Sequence, residues 1–381
     1  MRRIVFVVVL LGLFGLIPVL AVMGLQAALD TQSNTATTEA DPNAPGYQAL
    51  VTPTPTTLAL EIAPDGSLAG ATLVASSGDG AGGSVLFVPG RLLIDATGTG
   101  SQTLADVHAT GGSAATADAL RSMLHVGFDQ VVTLDAARWA QLLGPVEPLS
   151  FENSDELERT TTSGEADVFR AGPLALAAAD VAQYLAARNV GEEEAAYLYR
   201  HELFWRAWLA AVAQRGSADA VPGEVGSGLG GAVRTLAKGS VRYVSLPVDA
   251  VESLTGGQPN YRVGPDELAP LLADLVPFPS AGVPGDRVKV RLLDGTGDRA
   301  QALGAASVLV PAGAEIAIFG NAERFDHDTT VVRYYNAAHR AGAEALATAL
   351  GVGPPELQED QTDTVDVTVI VGRDFTAGGG S

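Results

Sequence analysis

Alternation of apolar and polar residues predicts a set of short strands in the first third of the chain. From Leu58 onward, the runs ALEIA, ATLVASS and SVLFV are separated by glycine-rich turns such as GDGAGG. This pattern is typical of paired strands. The segment FDQVVTL at residues 128–134 indicates a further buried strand. The spacing therefore predicts a sheet that begins close to Leu58.

Segments with helical spacing alternate with these strands. In AATADALRSMLHV the apolar positions include Ala117, Leu120 and Leu124. Residues 174–189 and 192–214 indicate two more helices, and the second has acidic residues in its first turn and basic residues later, which suits the helix dipole. The strand VRYVSLPV and the helix DELAPLLADLV follow. This alternation indicates an α/β protein with a sheet covered by helices.

A second, smaller unit follows a Pro/Gly-rich linker at residues 278–286. Its segments are, in order, VKVRLLDGTG, DRAQALGAASVLVPAG, AEIAIFGN, TTVVRYY, NAAHRAGAEALATALG and VDVTVIVG. Period-two and helical patterns succeed one another here as strand, helix, strand, strand, helix and strand. The pattern predicts a small βαββαβ domain over residues 287–375 and a disordered tail at 376–381.

The N-terminal segment predicts a membrane anchor. Residues 4–25 are uncharged and follow Arg2 and Arg3, and about 20 apolar residues suffice to cross a bilayer as a helix. The positive-inside rule then places residues 1–3 in the cytoplasm and the bulk of the chain outside the membrane. A cleaved signal peptide is the alternative, although its apolar region is usually only about 7 to 15 residues long. Residues 26–57, rich in Thr and Pro, are predicted to be a disordered spacer.

Charge and composition narrow the classes of partner. The chain has 23 Lys and Arg against 44 Asp and Glu, a formal net charge of −21. Nucleic acid is therefore not expected as a partner, because phosphate binding requires clustered basic residues. The absence of cysteine excludes disulfides, thiolate metal sites and a cysteine nucleophile.

Few motifs indicate chemistry outside the helices. The five histidines lack the spacing of metal ligands, and no GxSxG motif occurs. The turn at Asp326, His327 and Asp328 is either a cation site or a solvated acidic turn, and its composition favours the second. The glycine turn LLDGTGD follows a strand, but a single GxG is more typical of plain turn chemistry than of nucleotide binding.

Two arginines in the stretch from Tyr184 to Trp205 attract more interest. Arg188 and Arg200 lie on or beside predicted helices and among aromatic residues, where a guanidinium group can hold a phosphate in a bidentate manner. The alternative is that they pair with the acidic run 192–194 on a solvated helix face. The residues alone leave both interpretations open.

Several of these segments resemble the LytR/CpsA/Psr family of envelope proteins. VRLLDGTG, IFGNA, TTVVRYYNAAHRAGAEALATALG and VDVTVIVGRDF resemble the LytR C-terminal domain. SVLFVPGR, LADVHATGG, VGFDQVVTLD and the stretch from Tyr184 to Trp205 resemble the family's central domain. The resemblance implies a central α/β/α domain with a mixed sheet at residues 58–277. It also implies transfer of glycopolymers from a polyprenyl-pyrophosphate carrier to peptidoglycan, with Mg²⁺.

The resemblance also implies that several charged positions of that site are lost. The strand aspartate that would help to hold Mg²⁺ falls at Gly70 or Ala71. The Arg-Asp pair after the turn proline falls at Gly90-Arg91, and two further arginine positions are occupied by Ala186 and Tyr197. A site without these charges should lose most of its transition-state stabilisation, because electrostatics is usually the largest contribution.

Four residues remain as candidate catalytic residues. Arg188, Arg200 and the acidic Glu194 occupy family positions, and Arg91, one place late, is a candidate substitute. We assign no metal ligand and expect no cofactor, with Mg²⁺ required only if the chain is an active transferase.

The sequence favours a membrane-anchored, extracytoplasmic protein of envelope assembly that is catalytically degenerate. We expect it to bind wall glycan, a polyprenyl-linked glycopolymer or partner transferases. The alternative is an active glycopolymer–peptidoglycan phosphotransferase that uses a polyprenyl-pyrophosphate-linked donor. A transcriptional attenuator, as the family's historical name suggests, agrees poorly with the acidic charge and the apolar leader.

Overall fold

Two compact units make up the part of the chain that can be described. The computed structural model describes residues 41–96, 100–160, 166–252, 258–359 and 364–376. The central unit comprises Thr52–Arg287. The C-terminal unit comprises the residues from Val288 onward together with the described segment 41–51.

Most of the predicted N-terminal features fall outside these ranges. The cytoplasmic residues 1–3, the anchor at 4–25 and the first part of the spacer, 26–40, lie there, as does most of the predicted tail, 377–381. Among the helices within the described ranges, none combines the length and the apolar character that a bilayer-spanning helix requires.

The elements are numbered in chain order. The strands are β1 (Gln48–Leu50), β2 (Thr56–Ile62), β3 (Leu68–Ser76), β4 (Gly83–Pro89), β5 (Leu93–Ala96), β6 (Gly100–Thr103), β7 (Gln130–Leu134), β8 (Leu149–Asn153), β9 (Leu157–Thr160), β10 (Ala166–Phe169), β11 (Gly172–Leu176), β12 (Val241–Ser245), β13 (Asp249–Val251), β14 (Asn260–Arg262), β15 (Val288–Asp294), β16 (Ala314–Asn321), β17 (Val331–Tyr334), β18 (Glu356–Leu357) and β19 (Val367–Val371). The α-helices are α1 (Leu104–Leu124), α2 (Ala136–Leu143), α3 (Val181–Ala186), α4 (Glu194–Arg215), α5 (Gly228–Leu236), α6 (Pro265–Leu275), α7 (Arg299–Leu309) and α8 (Arg340–Leu350).

A five-stranded mixed sheet forms the middle of the central unit. Its strand order is β12-β4-β3-β2-β7. Strand β3 is antiparallel to β2 and β4, whereas the β2–β7 and β4–β12 pairs are parallel. All seven residues of β2 are buried, as expected for a strand covered on both faces. The predicted α/β class is therefore confirmed.

Helices cover both faces of this sheet. Successive residues of a strand point to opposite faces, so Leu58 and Leu60 pack into one apolar core while Ala59 packs into the other. The core that contains Leu58 includes residues of α1 and α6, and the core that contains Ala59 includes residues of α2, α3, α4 and α5. The central unit thus has two cores separated by one sheet.

Helix α4 contributes the largest part of one core. Its buried residues include Trp205 and Trp208, and Trp208 packs edge-on against Trp139 of α2, with ring centroids 5.6 Å apart. The helix begins with Glu194 in its first turn and ends at Gly216, which adopts the left-handed conformation that terminates helices. The predicted helix at 192–214 is therefore present.

Two short ladders lie in a region where the sequence shows no strand pattern. Strands β8 and β11 pair antiparallel, and so do β9 and β10. The predicted helix at 174–189 is reduced to α3, because its first residues belong to β11. Gly172 opens β11 with a φ of +92°, which only glycine adopts readily. Tertiary pairing here overrides the local helical pattern.

The C-terminal unit has a six-stranded sheet in the order β1-β16-β15-β19-β17-β18. Strand β15 is parallel to both β16 and β19, whereas β17 is antiparallel to β19. Its elements follow the predicted order β15, α7, β16, β17, α8 and β19, with the two-residue β18 before β19. Asp298 caps α7 by accepting hydrogen bonds from the amides of Ala300 and Gln301.

Strand β1 corrects the prediction of a disordered spacer at residues 26–57. Within the described part of that range, Gln48–Leu50 pair antiparallel with β16, and Thr56 begins β2. The segment lacks an apolar period. Its strand conformation comes instead from backbone hydrogen bonds to the β16 edge, which no local pattern encodes.

The packing of α4 leads to a prediction about stability. Trp208 is 0% exposed, whereas Tyr199 on the same helix is 48% exposed. We expect Trp208→Ala to lower the free energy of unfolding of the central unit by about 3–5 kcal/mol, because it leaves a cavity in the core. The matched control Tyr199→Ala should change it by less than about 0.5 kcal/mol. Urea unfolding followed by far-UV circular dichroism measures both, and equal effects would contradict the packing described.

Candidate functional site

The residues between α3 and the second turn of α4 lie at one end of the central sheet. Strands β2 and β4 are parallel to one another and end there, at Ile62 and Pro89. The carboxyl-terminal edge of parallel strands is the usual place for ligands in open α/β sheets. Arg188, Glu194 and Arg200, three of the four predicted site residues, are close together at this edge.

Arg188 forms a bidentate ion pair with Glu194. Its two terminal nitrogens, Nη1 and Nη2, lie 2.6 and 2.7 Å from the two carboxylate oxygens. The side chains are 15% and 4% exposed, respectively. Burial alone would lower the pKa of Arg188, but the hydrogen bonds with Glu194 and the electrostatic effects of Glu194 and nearby tyrosines together outweigh it and raise that pKa. Arg188 therefore stays charged, and both oxygens of its partner are occupied.

Arg200 is also held by an internal carboxylate. Its guanidinium donates to the Glu192 carboxylate and to the Ala187 carbonyl, and its side chain is 0% exposed. The second oxygen of Glu192 accepts from the Asn189 amide. The arginines thus pair with the acidic run 192–194, as one of the two interpretations expected. The pairs are buried, however, and do not lie on a solvated face.

Arg91 does not join these pairs. Its Nε donates to the Pro259 carbonyl at 2.7 Å, and its Nη2 donates to the Gln258 carbonyl and to Asn260 Oδ1. The guanidinium therefore fixes the 258–260 turn. The structure brings together Arg188, Glu194 and Arg200 but gives Arg91 a different set of partners.

A buried Glu–His pair lies beside the arginine pairs. Glu61, at the end of β2, and His201, on α4, approach to 2.7 Å between Oε2 and Nδ1, and both side chains are 2% exposed. Thr72 donates to the other carboxylate oxygen at 2.8 Å. His201 Nε2 lies 3.1 Å from the Leu185 carbonyl. Each ring nitrogen of His201 thus lies close to an oxygen atom.

The environment of Glu61 keeps its carboxylate ionised. Burial acts to raise its pKa, but the charge of His201 and the hydrogen bonds from His201 and Thr72 act in the other direction and prevail. The pKa of Glu61 is therefore below its usual value of 4.5. The pair is an internal salt link between α4 and the sheet.

Tyr197 connects the two groups of charges. The Arg188 guanidinium lies 3.5 Å from the centroid of its ring, and the His201 ring lies 4.7 Å from it. Its hydroxyl donates to the Ala69 carbonyl at the start of β3. Burial raises the pKa of Tyr197 above its usual range, so the ring stays neutral. At Tyr197, where the family resemblance implies an arginine, an aromatic ring thus packs against the Arg188 guanidinium.

The residues at this edge do not fit the Mg²⁺ ion that the family resemblance implies. Mg²⁺ is bound through carboxylate oxygens, and neither Gly70 nor Ala71, the two candidates for the expected aspartate position, supplies one. A Cβ atom at Gly70 would lie 3.7 Å from Glu61 Oε2, which places that position beside the Glu–His pair. The oxygens of Glu61, Glu192 and Glu194 face the partners named above. In the described ranges, no group of three acidic or histidine residues is arranged to hold a metal.

The acidic turn at 326–328 also has internal partners. Arg373 lies 2.6 Å from Asp328, and Arg324 lies 3.6 Å from Asp326, with all four side chains more than half exposed. His327 packs against Gly295, where a Cβ atom would lie 2.8 Å from the His327 Cβ. The arrangement favours the solvated acidic turn over a cation site.

A large cleft occupies the opposite end of the central sheet. Its volume is about 1360 Å³, and its lining includes Gly80, Asp129, Gly228, Arg242 and Asp274. It contains none of the four predicted site residues. Arg242 and Asp274 pair there at 3.0 Å on the exposed surface. The cleft therefore carries no part of the predicted chemistry.

Sequence reasoning missed Glu61, His201 and the role of Tyr197. One signal was available for Glu61, because it is the only charged residue in the otherwise apolar run ALEIA and a buried charge needs a partner. A second was the spacing of Tyr197 and His201, which lie four residues apart and therefore on one face of a helix. Nothing in the spacing indicated that Glu61 and His201 are partners.

Comparison with known proteins supports the resemblance inferred from the sequence. Residues 287–375 match the model of the family LytR_C, described as LytR cell envelope-related transcriptional attenuator. No curated protein matches the chain.

Several solved structures are similar to the chain. TagV from B. subtilis is 13% identical with a TM-score of 0.48, over 59% of this chain and 97% of that one. TagT from B. subtilis is 18% identical with a TM-score of 0.43, over 65% and 96%. The LytR-CPS2A-psr family protein YwtF (TagT) with bound octaprenyl pyrophosphate lipid is 17% identical with a TM-score of 0.43, over 64% and 94%.

These findings define a two-unit α/β protein in which residues 287–375 match the LytR_C family. One of the solved structures similar to it is described as a LytR-CPS2A-psr family protein. The predicted resemblance of residues 287–375 to the LytR C-terminal domain is thereby confirmed.

The Glu61–His201 pair leads to a prediction about pH dependence. Because the pKa of Glu61 is lowered from 4.5 in the folded state, its carboxylate stabilises the fold above that pH, and this contribution is lost as the pH falls through the lowered pKa. We expect Glu61→Gln to destabilise the central unit by about 3–5 kcal/mol near neutral pH, since it leaves His201 without its counter-charge. On acidification, the free energy of unfolding of the variant should also fall by less than that of the wild type.

Urea unfolding between pH 7 and pH 3, followed by far-UV circular dichroism, measures both effects. Glu202→Gln is the matched control, because Glu202 pairs on the same helix with Arg206, which is 52% exposed. It should leave both the stability and the acid dependence close to those of the wild type. Parallel acid profiles for Glu61→Gln and the wild type would contradict the lowered pKa.

Proposed function

We propose that this chain is a membrane-anchored, extracytoplasmic protein of bacterial envelope assembly that has lost glycopolymer transfer. In this proposal it binds wall glycan, a polyprenyl-linked glycopolymer or partner proteins. The LytR C-terminal domain at residues 287–375 supports the envelope role. The anchor at residues 4–25 and the extracytoplasmic location rest on the apolar leader and its two arginines.

One observation carries the proposed loss of transfer: each of the two arginines at family positions is paired with an internal carboxylate. A pyrophosphate would have to displace Glu194 from Arg188 and Glu192 from Arg200, in a place where these side chains are at most 15% exposed. Breaking such a buried pair typically costs about 3–5 kcal/mol. The pairs therefore oppose the charge stabilisation that phosphoryl transfer needs.

The carboxylates at the same edge support this proposal. Transfer with Mg²⁺ needs oxygen ligands that are available to the ion, whereas Glu61 and Glu194 face His201 and Arg188. The resulting cluster is close to neutral, because each cation has an anionic neighbour. We infer that this end of the sheet now has a structural role.

The proposed ligand class follows from the family resemblance. TagT, a similar protein, has been solved with bound octaprenyl pyrophosphate lipid and bound to LI-WTA. For the present chain, a polyprenyl-linked ligand is part of the proposal and rests on the family resemblance. In the absence of an available phosphate clamp, we expect such a ligand to bind more weakly here than in an active transferase.

Releasing Arg188 tests the proposal directly. We expect Glu194→Gln to strengthen binding of polyprenyl pyrophosphate by about tenfold, because a free guanidinium gains a charge-assisted contact of about 1.5–3 kcal/mol. Binding by the full-length protein in detergent can be measured by native mass spectrometry or with a fluorescent lipid analogue. The double variant Arg188→Ala with Glu194→Gln should lose the gain, and Glu202→Gln should show none.

The alternative hypothesis, that the chain is an active transferase, makes the opposite prediction. If the wild-type chain transfers a lipid-linked glycopolymer to peptidoglycan, and Arg188→Ala and Arg200→Ala each abolish that transfer, the proposed loss of activity is wrong. Circular dichroism must show that both variants are folded.

The C-terminal unit should carry the binding to the wall. We expect the full chain to be retained on purified cell wall and a chain that ends at Arg287 to be retained at least about fivefold less, because the LytR C-terminal domain is then missing. Co-sedimentation with peptidoglycan sacculi measures the retained fraction. Equal retention of the two folded proteins would assign wall binding to the central unit instead.

A further inference from the structure

The outer edge of β16 in the C-terminal unit is paired with a segment more than 250 residues earlier in the chain. Gln48, Ala49 and Leu50 of β1 face Gly320, Phe319 and Ile318 of β16. Additional backbone hydrogen bonds extend the ladder at both ends. They are Gly46 N to Ala322 O at 2.9 Å, Asn321 N to Tyr47 O at 2.7 Å and Val51 N to Ala317 O at 3.0 Å.

The Asn321 side chain forms hydrogen bonds with the backbone of this segment. The residue is 2% exposed, and its Nδ2 donates to the Pro42 carbonyl at 3.0 Å and to the Ala44 carbonyl at 2.7 Å. Both donors of the side-chain amide are therefore directed at residues 42–44. A buried amide without these acceptors would be left unsatisfied, so the side chain favours an occupied edge.

Gly320 makes room for the segment. A Cβ atom at this position would lie 2.1 Å from the Tyr47 carbonyl oxygen and 2.7 Å from the Gln48 Cα, distances at which backbone atoms must move. The atoms nearest to this position all belong to the segment and not to the core of the unit. Gly320 is therefore specific to the contact with residues 47 and 48.

The segment has features that suit it to be bound as an extended ligand. Asp41 accepts from the Asn43 amide, and the Ala44 amide donates to the Asp41 carbonyl, so that a turn precedes the strand. Gly46 has a φ of +82°, a conformation that disfavours other residues. Residues 41–50 contain no fully buried side chain. Main-chain hydrogen bonds therefore dominate the contact, as in strand addition to a sheet edge.

We propose that the outer edge of β16, with Asn321 and Gly320, is a strand-accepting site whose ligand is residues 41–51 of the same chain. Three features determine recognition. Asn321 binds backbone carbonyls of the ligand, Gly320 lets the ligand backbone approach closely, and Gly46 of the ligand adopts a left-handed backbone conformation. Because the ligand is covalently attached, its binding to the edge is intramolecular and is favoured over that of a separate peptide of the same sequence. A contact that is weak between separate molecules is thus populated within one chain. Occupation also covers a sheet edge that would otherwise invite association.

Peptide binding to the full-length protein tests the proposal. In one variant, residues 42–50 are replaced by a Gly/Ser sequence of equal length, which frees the edge. A fluorescent peptide with the sequence of residues 41–52 should bind this variant at least about tenfold more tightly than the wild type, where the attached segment competes. Adding Gly320→Ala to the replaced variant should weaken binding at least about tenfold, and a peptide with Gly46→Ala should also bind more weakly.

Gly353→Ala is the matched control, because no atom lies within 4 Å of a Cβ atom there and its φ is not positive. It should leave peptide binding unchanged. Equal binding of the peptide to the wild type and to the replaced variant would overturn the proposal, and so would equal effects of Gly320→Ala and Gly353→Ala.

A second measurement on the intact chain does not depend on the replaced variant. In hydrogen-exchange mass spectrometry, we expect Gly320→Ala to increase exchange at the amides of residues 46–51, while Gly353→Ala leaves them as in the wild type. Unchanged protection of residues 46–51 in Gly320→Ala would show that the segment does not depend on this site, and would overturn the proposal even if the Gly/Ser variant failed to fold.

Discussion

The central unit depends on a column of four side chains in successive contact, namely Arg188, Tyr197, His201 and Glu61. It runs from the loop before α4, through that helix, to the end of β2. Charges this deeply buried are tolerated only when each has a partner and its hydrogen bonds. The column therefore fixes the position of α4 relative to the sheet, and the aromatic core beneath it follows from that position.

The same arrangement determines how this end of the sheet can interact with anions. In a transferase, cationic groups and a metal ion at such an edge would stabilise negative charge that develops on phosphate. Here the Arg188 and Arg200 side chains are instead paired with Glu194 and Glu192. Together with a net charge of −21, this internal neutralisation disfavours anion binding at this edge. The proposed binding surface therefore lies on the C-terminal unit.

The sequence was informative where periodicity reflects burial. The alternation around Leu58, the helix at α4 and the order of elements in the C-terminal unit all appear in the structure as expected. Contacts between distant residues were not accessible in this way. Glu61 and His201 meet although 140 positions separate them, and β1 is a strand only because β16 offers an edge. Arg91 matched a family position approximately, yet its surroundings at 258–260 decide where its side chain goes.

The position of the tryptophans has a spectroscopic consequence. The chain contains three, Trp139, Trp205 and Trp208, and all of them are buried in one core of the central unit. Their edge-on and tilted contacts make tryptophan fluorescence sensitive to the packing of α4 against α2, and the C-terminal unit has no indole group. The emission of the native protein therefore reports on one unit, and a signal that records the whole backbone is needed to see the other.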